Sequence, residues 1–72
     1  MKDYHINVFY SDEDEGYIAD IPDLEYCSAF GVTQEEALRE VLKAKKAWIQ
    51  AAYANKKVIP TPHFRPLIYQ IA

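Results

Sequence analysis

The chain has 72 residues, of which half are hydrophobic and 26% are charged, and its net charge is −3. This length allows a single domain spanning residues 1–72, and the composition excludes an intrinsically disordered chain. One cysteine excludes an internal disulfide, and no apolar run approaches the roughly 20 residues that a membrane-spanning helix needs.

The first elements along the chain are the two strands of a predicted β-hairpin. Residues 4–10 (YHINVFY) alternate between two faces as a strand does, and residues 17–21 (YIADI) form the second strand. The segment SDEDEG at 11–16 is the turn between them, and we expect Gly16 to supply a positive φ there. Pro22 ends the second strand because it has no N–H to donate to a sheet.

A short third strand and a long helix follow the hairpin. The strand is expected at residues 26–31. Thr33 is a good N-cap and Glu36 completes a capping box, so the pattern predicts a helix at about residues 34–54. At about 100° per residue, the apolar residues of this helix share one broad arc, which is the predicted core face. The arc comprises Ala37, Leu38, Val41, Leu42, Ala44, Trp48, Ile49 and Ala52.

Three prolines shape the segment after the helix. Pro60, Pro62 and Pro66 exclude a helix or a central strand, so we expect an extended arm with a candidate edge strand at residues 67–71. The chain is therefore predicted to have an α+β fold. In this fold a three- to four-stranded, mainly antiparallel sheet carries one long helix on one face.

One helix covers only one face of such a sheet. The alternation places Phe9, Ile18 and Phe30 on the other face, where they would meet water in a monomer. Clustered apolar exposure usually marks an interface. A chain this short without covalent staples also needs further support, so the hypothesis is a homo-oligomer formed through the sheet face or its edges.

Charge is unevenly distributed along the chain. Residues 1–38 hold ten of the eleven acidic residues and one basic residue, whereas residues 39–72 hold seven basic residues and one acidic residue. This pattern argues against a simple nucleic-acid binder and predicts attraction of a basic partner, although a solvated acidic loop beside a basic helix explains it equally well. The candidate interface residues are Phe9, Ile18, Phe30, Asp12, Glu13, Asp14, Glu15 and Asp20.

The residues that could carry chemistry give little support for catalysis. Carboxylates near Cys27 raise the pKa of its thiol, and free cysteine is commonly buried, so we expect Cys27 in the core. His5, Cys27 and His63 lie too far apart for a zinc motif, and DEDE lacks the ligand spacing of a calcium loop. We therefore expect no catalytic, cofactor or metal site.

Lys45 is the odd residue of the helix, because it lies near the middle of the apolar arc. Its amine could be functional with a lowered pKa, or it could reach past the sheet edge to a carboxylate. Lysine is almost never buried without a partner, which favours pairing with a carboxylate.

Four short motifs follow one another along the chain. Pro22-Asp23-Leu24 precedes Cys27, Gly31 precedes Thr33, Glu35 to Leu38 open the helix, and Ile59-Pro60 precedes Pro62. In this order and spacing, the chain resembles the HicB-like (UPF0150-like) antitoxin family over nearly its whole length. The motif residues to which the resemblance gives a structural role are Pro22, Asp23, Leu24, Cys27, Gly31, Thr33, Glu36, Ala37 and Pro60.

The resemblance implies a partial RNase-H-like fold with the order β-β-β-α-β and without nuclease activity. It also implies a non-catalytic protein that binds and neutralises a small basic HicA-type mRNA-cleaving toxin. Two alternatives stay open. One is a stand-alone homo-oligomeric structural or regulatory protein without a toxin partner. The other is a small nucleic-acid-binding module that uses the basic helix face of Arg39, Lys43 and Lys46.

The chain departs from the family pattern in three places. Glu25-Tyr26 replaces Pro-Gly, so the turn before Cys27 must form differently, and Val32 replaces the aspartate before Thr33. The sequence ends at Ala72 without the DNA-binding segment of many members, so we do not expect nucleic-acid binding or operon repression from this chain alone. A free thiol and a start without export-signal features predict a cytoplasmic protein.

Overall fold

The computed structural model describes residues 3–64, which form a three-stranded sheet and one helix. The strands are β1 (Asn7–Ser11), β2 (Gly16–Asp20) and β3 (Ser28–Gly31), and the helix is α1 (Gln34–Ala54). The sheet order is β1-β2-β3, with both neighbouring pairs antiparallel. The α+β prediction and the helix bounds are confirmed. The candidate edge strand at 67–71 lies outside the described residues.

Two strands begin later than the alternation predicted. β1 starts at Asn7 and β3 starts at Ser28, instead of at residues 4 and 26. Before β3, the N–H of Leu24 donates to the carbonyl of Ile21, and the N–H of Cys27 donates to the carbonyl of Leu24. These bonds close a compact turn. Tyr26 and Cys27, which the pattern had assigned to the strand, belong to this turn and its end.

The register of the sheet decides which side chains share a face. Phe9 pairs with Ile18, and Ile18 pairs in turn with Phe30, so these three residues form one line across the strands. Alternation places the neighbouring line of Val8, Ala19 and Ala29 on the opposite face, against the helix. The predicted face assignment of the two lines is therefore confirmed.

The core lies where α1 crosses β2 and β3. Its largest fully buried side chains are Ile21, Leu24 and Val41. Fully burying a side chain of this size contributes about 1.5–3 kcal/mol, so the turn that carries Leu24 is an integral part of the core. The other buried members of the cluster are Ala19, Cys27 and Ala37, and the half-buried residues packed around it are Tyr4, Ile6, Tyr17, Ala29, Ala44 and Trp48.

The helix covers only part of the face on which it packs. α1 contacts β3 and β2 extensively and β1 least. Val8 and Tyr10, on the helix side of β1, are therefore still 37% and 53% exposed. The ring of Tyr10 is supported instead by an edge-on contact with Tyr17, whose ring centroid lies 5.3 Å away.

The apolar arc of the helix is wider than the surface it buries. Ala37, Val41 and Ala52 are buried, whereas Leu38 and Leu42 remain 39% and 44% exposed. The prediction that Leu38 and Leu42 belong to the core face is wrong. A sheet of three short strands is too narrow to cover so broad an arc, so one edge of the arc meets solvent.

The two glycines allow close packing and do not form the turns. Glu15, with a φ of 53°, takes the left-handed conformation in the hairpin turn, so the expectation for Gly16 is wrong. A Cβ on Gly16 would collide with the ring of Phe30. A Cβ on Gly31 would collide with the backbone of Ala37, so the first turn of α1 rests directly on β3.

Both ends of α1 are capped. The Thr33 hydroxyl accepts a hydrogen bond from the N–H of Glu36 at 3.1 Å, and the Glu36 carboxylate accepts one from the N–H of Val32. The predicted capping interaction is therefore present. After the last turn, Lys56 has a φ of 55°, and the N–H groups of Lys56 and Lys57 donate to carbonyls of the last turn in a Schellman arrangement. Within residues 3–64 there is no helix that combines the length and the apolar character of a membrane span.

Candidate functional site

The face of the sheet turned away from the helix carries a continuous line of large apolar side chains. We call Phe9, Ile18 and Phe30 the apolar row. Phe9 and Phe30 are 49% and 44% exposed, and Ile18 between them is half-buried. Direct cross-strand pairing places their Cβ atoms about 4.5–5.5 Å apart, so the three side chains make one contiguous surface.

Polar groups border the apolar row along the strands. Asp20 pairs with Asn7 on one side and with Ser28 on the other, and alternation gives all three the same face as the row. Asp20 is half-buried, so its carboxylate is the acidic group of the described residues that lies closest in register to the row. The structure thus brings Asp20 together with the apolar part of the predicted interface.

The hairpin turn places four exposed carboxylates beyond the other side of the row. Ser11 fixes the start of this acidic turn (residues 12–15), because its hydroxyl donates to the Asp14 carboxylate at 2.8 Å and accepts from the Asp14 N–H at 3.3 Å. β1 ends at Ser11, two residues after Phe9, so the acidic turn follows the apolar row closely along the hairpin. The residues of the turn are Asp12, Glu13, Asp14 and Glu15.

Asp23 makes contacts that the sequence pattern did not reveal. Its side chain is only 2% exposed, and one carboxylate oxygen accepts from the N–H groups of His63 and Phe64, both at 3.1 Å. The other oxygen lies 3.0 Å from Nδ1 of His63. Burial raises the pKa of the Asp23 carboxyl, but the N–H groups of Phe64 and His63 outweigh it, so the pKa lies below its ordinary value. Asp23 therefore holds the arm after the helix against the turn before β3.

Two further contacts fasten the same arm (residues 58–64) to the start of the chain. The Tyr4 hydroxyl donates to the carbonyl of Pro60, and the rings of His5 and Phe64 pack with their centroids 4.8 Å apart. No local signal could have predicted these contacts, since they join residues separated by more than 50 positions. The Tyr4 bond uses the backbone carbonyl of Pro60, and Pro22 is exposed in the turn after β2.

Lys45 is paired with a carboxylate, which was the favoured of its two interpretations. Its Nζ lies 2.6 Å from the Asp3 carboxylate and 5.7 Å from the centre of the Tyr4 ring. The Lys45 hydrogen bond, together with the N–H of Tyr4, lowers the pKa of the Asp3 carboxyl. The Lys45 side chain is 21% exposed, so its stem crosses the edge of the core while its charge remains satisfied at the rim.

Cys27 and Trp48 both lie in or against the core. Cys27 is 4% exposed, and burial, with a smaller contribution from the Asp20 charge, raises the pKa of its thiol. Trp48 is half-buried, and its indole N–H donates to the Glu25 carbonyl at 2.9 Å, which fixes the turn against α1. Among residues 3–64, no three His, Cys, Asp or Glu side chains are grouped in a way that could hold a metal ion.

One curated protein is similar to this chain at a level that identifies a family. It is UPF0150 protein ssl0259 of Synechocystis sp., which is 35% identical over 54 residues, covering 75% of this chain and 74% of that protein. No family model matches the chain, and no solved structure shows significant similarity to it.

Proposed function

Because the chain belongs to the UPF0150 family, we propose that it is a HicB-like antitoxin that binds and neutralises a small basic HicA-type mRNA-cleaving toxin. The observation that carries this proposal is the apolar row, a line of three apolar side chains across a sheet face bordered by carboxylates. A surface with an apolar centre and a charged rim has the anatomy of a protein interface.

The two parts of the surface have different physical roles in binding. Phe9 and Phe30 are each about half exposed, so burying the rest of each ring against a partner would contribute about 1 kcal/mol. The acidic turn and Asp20 would attract a basic partner over a longer distance and raise the association rate, an effect that weakens with salt. The apolar row therefore governs affinity, and the acidic turn governs association.

The proposed mechanism is occlusion of the toxin without catalysis by this chain. The buried Cys27 with its raised thiol pKa supports a non-catalytic role. So does the first strand, where Asn7 and Val8 supply no carboxylate for a metal ion. Binding to the toxin then acts by covering the surface with which it engages mRNA.

The apolar row can be tested with two matched substitutions on β1. Phe9→Thr removes an aromatic ring from the row, while Val8→Thr places the same residue next to it on the other face of the sheet. Threonine suits a strand, so both variants should fold. We expect Phe9→Thr to raise the dissociation constant for a catalytically inactive HicA-type toxin about fivefold, as a loss of about 1 kcal/mol requires, and Val8→Thr to leave it within about twofold, both measured by titration calorimetry. Equal effects of the two variants would contradict the assignment of this face.

A second candidate function is favoured by the same half-exposed row. In a stand-alone homo-oligomer without a toxin partner, a second copy would cover Phe9, Ile18 and Phe30. Salt distinguishes the two functions, because two copies would bring their acidic turns together. Self-association through this face should strengthen with salt, whereas binding of a basic protein should weaken.

A further inference from the structure

The helix carries a second apolar surface that the described part of the chain does not cover. Leu38, Leu42 and Tyr53 are 39%, 44% and 73% exposed, and Ile49 is half-buried. These four residues lie within about 60° of one another around the helix axis, at the edge of the arc that misses the sheet. We call Leu38, Leu42, Ile49 and Tyr53 the helix stripe.

Charges of opposite sign mark the two ends of the helix stripe. Glu35 and Glu36 occupy the first turn of α1, and Lys56 and Lys57 follow its last turn. Two copies of the helix packed antiparallel would therefore place the acidic end of each beside the basic end of the other. The parallel arrangement would place like charges together, so the chain complements itself in one orientation only.

From this complementarity we infer that two copies of the chain pair through the helix stripe in an antiparallel, two-fold symmetric arrangement. In this register Leu42 of one copy faces Ile49 of the other, and Leu38 faces Tyr53. The same register brings Glu35 opposite Lys56. Every contact then occurs twice, as two-fold symmetry requires.

The surface of α1 has a hollow suited to receive Leu42 of a second copy. Lys46, Ile49, Gln50 and Tyr53 stand at positions i, i+3, i+4 and i+7, the four-residue arrangement into which a side chain of a facing helix inserts. These residues, together with Leu42 and Lys45, line a shallow hollow of about 380 Å³. In the proposed register, the centre of these four residues lies opposite Leu42 of the second copy. The shape of the helix surface and the charges at its ends therefore favour the same antiparallel register.

The centre of the pair contains lysines, and the structure shows how one of them is accommodated. Lys45 approaches Lys46 of the other copy near the symmetry axis. The charge of Lys45 is already balanced by Asp3 at 2.6 Å, and its ammonium lies at the edge of the domain. Lys46 is exposed at the rim of the hollow. Its flexible side chain can therefore extend along the edge of the contact.

The helix stripe and the apolar row lie on different sides of the molecule. The row occupies the sheet face turned away from α1, and the stripe lies on α1 itself. A pair formed through the stripe therefore leaves both copies of the row free. This inference does not depend on the antitoxin function, and a failure of one leaves the other intact.

Sedimentation of two charge variants, separately and mixed, tests the register. Leu42→Glu and Ile49→Lys should each raise the dimer dissociation constant at least tenfold, because each variant places two charges against apolar groups. An equimolar mixture should restore the dimer. In the mixed pair the introduced glutamate of one variant faces the introduced lysine of the other, and the second contact keeps its native leucine and isoleucine. Ala47→Glu, on the outward side of α1, is the matched control and should leave the dimer unchanged.

Circular dichroism of each variant keeps the test interpretable. Both substituted positions lie outside the buried cluster, so we expect helix content equal to that of the unsubstituted chain. Three results would overturn the proposal: an unsubstituted chain that sediments as a monomer at about 100 µM, folded single variants that remain dimeric, or a mixture that stays monomeric.

Discussion

At the scale of single residues, one of the three left-handed, non-glycine positions among residues 3–64 lies where the chain departs from the family it resembles. Tyr26 stands where that pattern has glycine, and it adopts a φ of 61° with its side chain 94% exposed. The left-handed region costs an L-residue roughly 1–2 kcal/mol, whereas glycine adopts it without this strain. The turn before Cys27 thus keeps the geometry of a glycine turn without having the glycine.

Replacing Tyr26 by glycine should therefore stabilise the protein. We expect Tyr26→Gly to raise the free energy of unfolding by about 0.5–1 kcal/mol, since the relief of strain exceeds the added entropy of the unfolded chain. Urea denaturation measures the change. Tyr26→Ala is the control, because alanine loses the ring but keeps the Cβ that causes the strain. A gain as large in Tyr26→Ala as in Tyr26→Gly would show that the ring and not the backbone is responsible.

Asp23 makes stability depend on pH in a direction that its contacts determine. Its pKa is lower in the folded chain than in the unfolded chain, so the folded chain binds fewer protons in mild acid. The contribution of Asp23 is fully present above its ordinary pKa of 3.8 and is lost as the pH falls through the lowered, folded value.

The variant Asp23→Asn removes this dependence. We expect it to unfold at lower urea than the unsubstituted chain at pH 7, and the gap should close as the pH falls below about 3.8. Asp12→Asn, on the exposed hairpin turn, is the matched control. It should unfold at the same urea concentration as the unsubstituted chain, both at pH 7 and in acid. A gap that persists unchanged into strong acid would mean that Asp23 acts by packing and not by charge.

At the scale of elements, the joint between α1 and β3 depends on a missing side chain. Gly31 lies against the backbone of Ala37 and Glu36, so the helix begins in direct contact with the strand. The preceding capping by Thr33 fixes where the helix starts, and the absence of a Cβ fixes how closely it approaches the sheet. Backbone atoms cannot yield as a flexible side chain can.

Adding a methyl group at this joint should therefore be costly. Gly31→Ala forces the start of α1 away from the sheet, and we expect a loss of about 2–3 kcal/mol in the free energy of unfolding, near the upper end of overpacking effects. Ser28→Ala on the same strand is exposed and should change stability by about 0.5 kcal/mol or less. A variant Gly31→Ala as stable as Ser28→Ala would contradict the observed contact.

The elements differ in how far the sequence could predict them, for physical reasons. The bounds of α1 were predictable because Thr33 and Glu36 cap the helix by local hydrogen bonds. The start of β3 was not, because the turn before it depends on bonds that reach back to Ile21 and on the burial of Leu24. The partners of Asp23 could not be predicted either, since they lie 40 residues away.

The width of the core face was the other limit of the sequence pattern. Helical periodicity predicts which residues share a side of α1 but not how much of that side the sheet can reach. Leu38 and Leu42 satisfy the period and are still 39% and 44% exposed, because α1 contacts β1 least of the three strands. The apolar row, in contrast, was predictable, since alternation in short strands fixes the face of each residue.

At the scale of the whole molecule, residues 3–64 build a small core and leave two apolar surfaces exposed among themselves. Within this range, the largest fully buried side chains are Ile21, Leu24 and Val41. Burial of the helix stripe against a second copy would add to this core. The apolar row, flanked by Asp20 and the acidic turn, would then remain accessible to the basic partner that we propose.

Electrostatic attraction of a basic partner depends on the charge pattern of the whole molecule. Of the candidate interface residues, five are carboxylates, and they lie on the hairpin and not on α1. A basic partner is expected to associate more slowly as salt rises, with little change in its dissociation rate. In the proposed interface, the acidic rim would thus set the association rate, and the apolar row at the centre would set the affinity.

The most direct measurement of the central claim is an NMR titration of the isotope-labelled chain with a catalytically inactive HicA-type toxin at low salt. We expect the largest shifts in the backbone amides of Phe9, Ile18 and Phe30 and in the acidic turn, with binding that weakens as salt is added. Shifts confined to α1 and the arm, or an absence of binding at low salt, would contradict it.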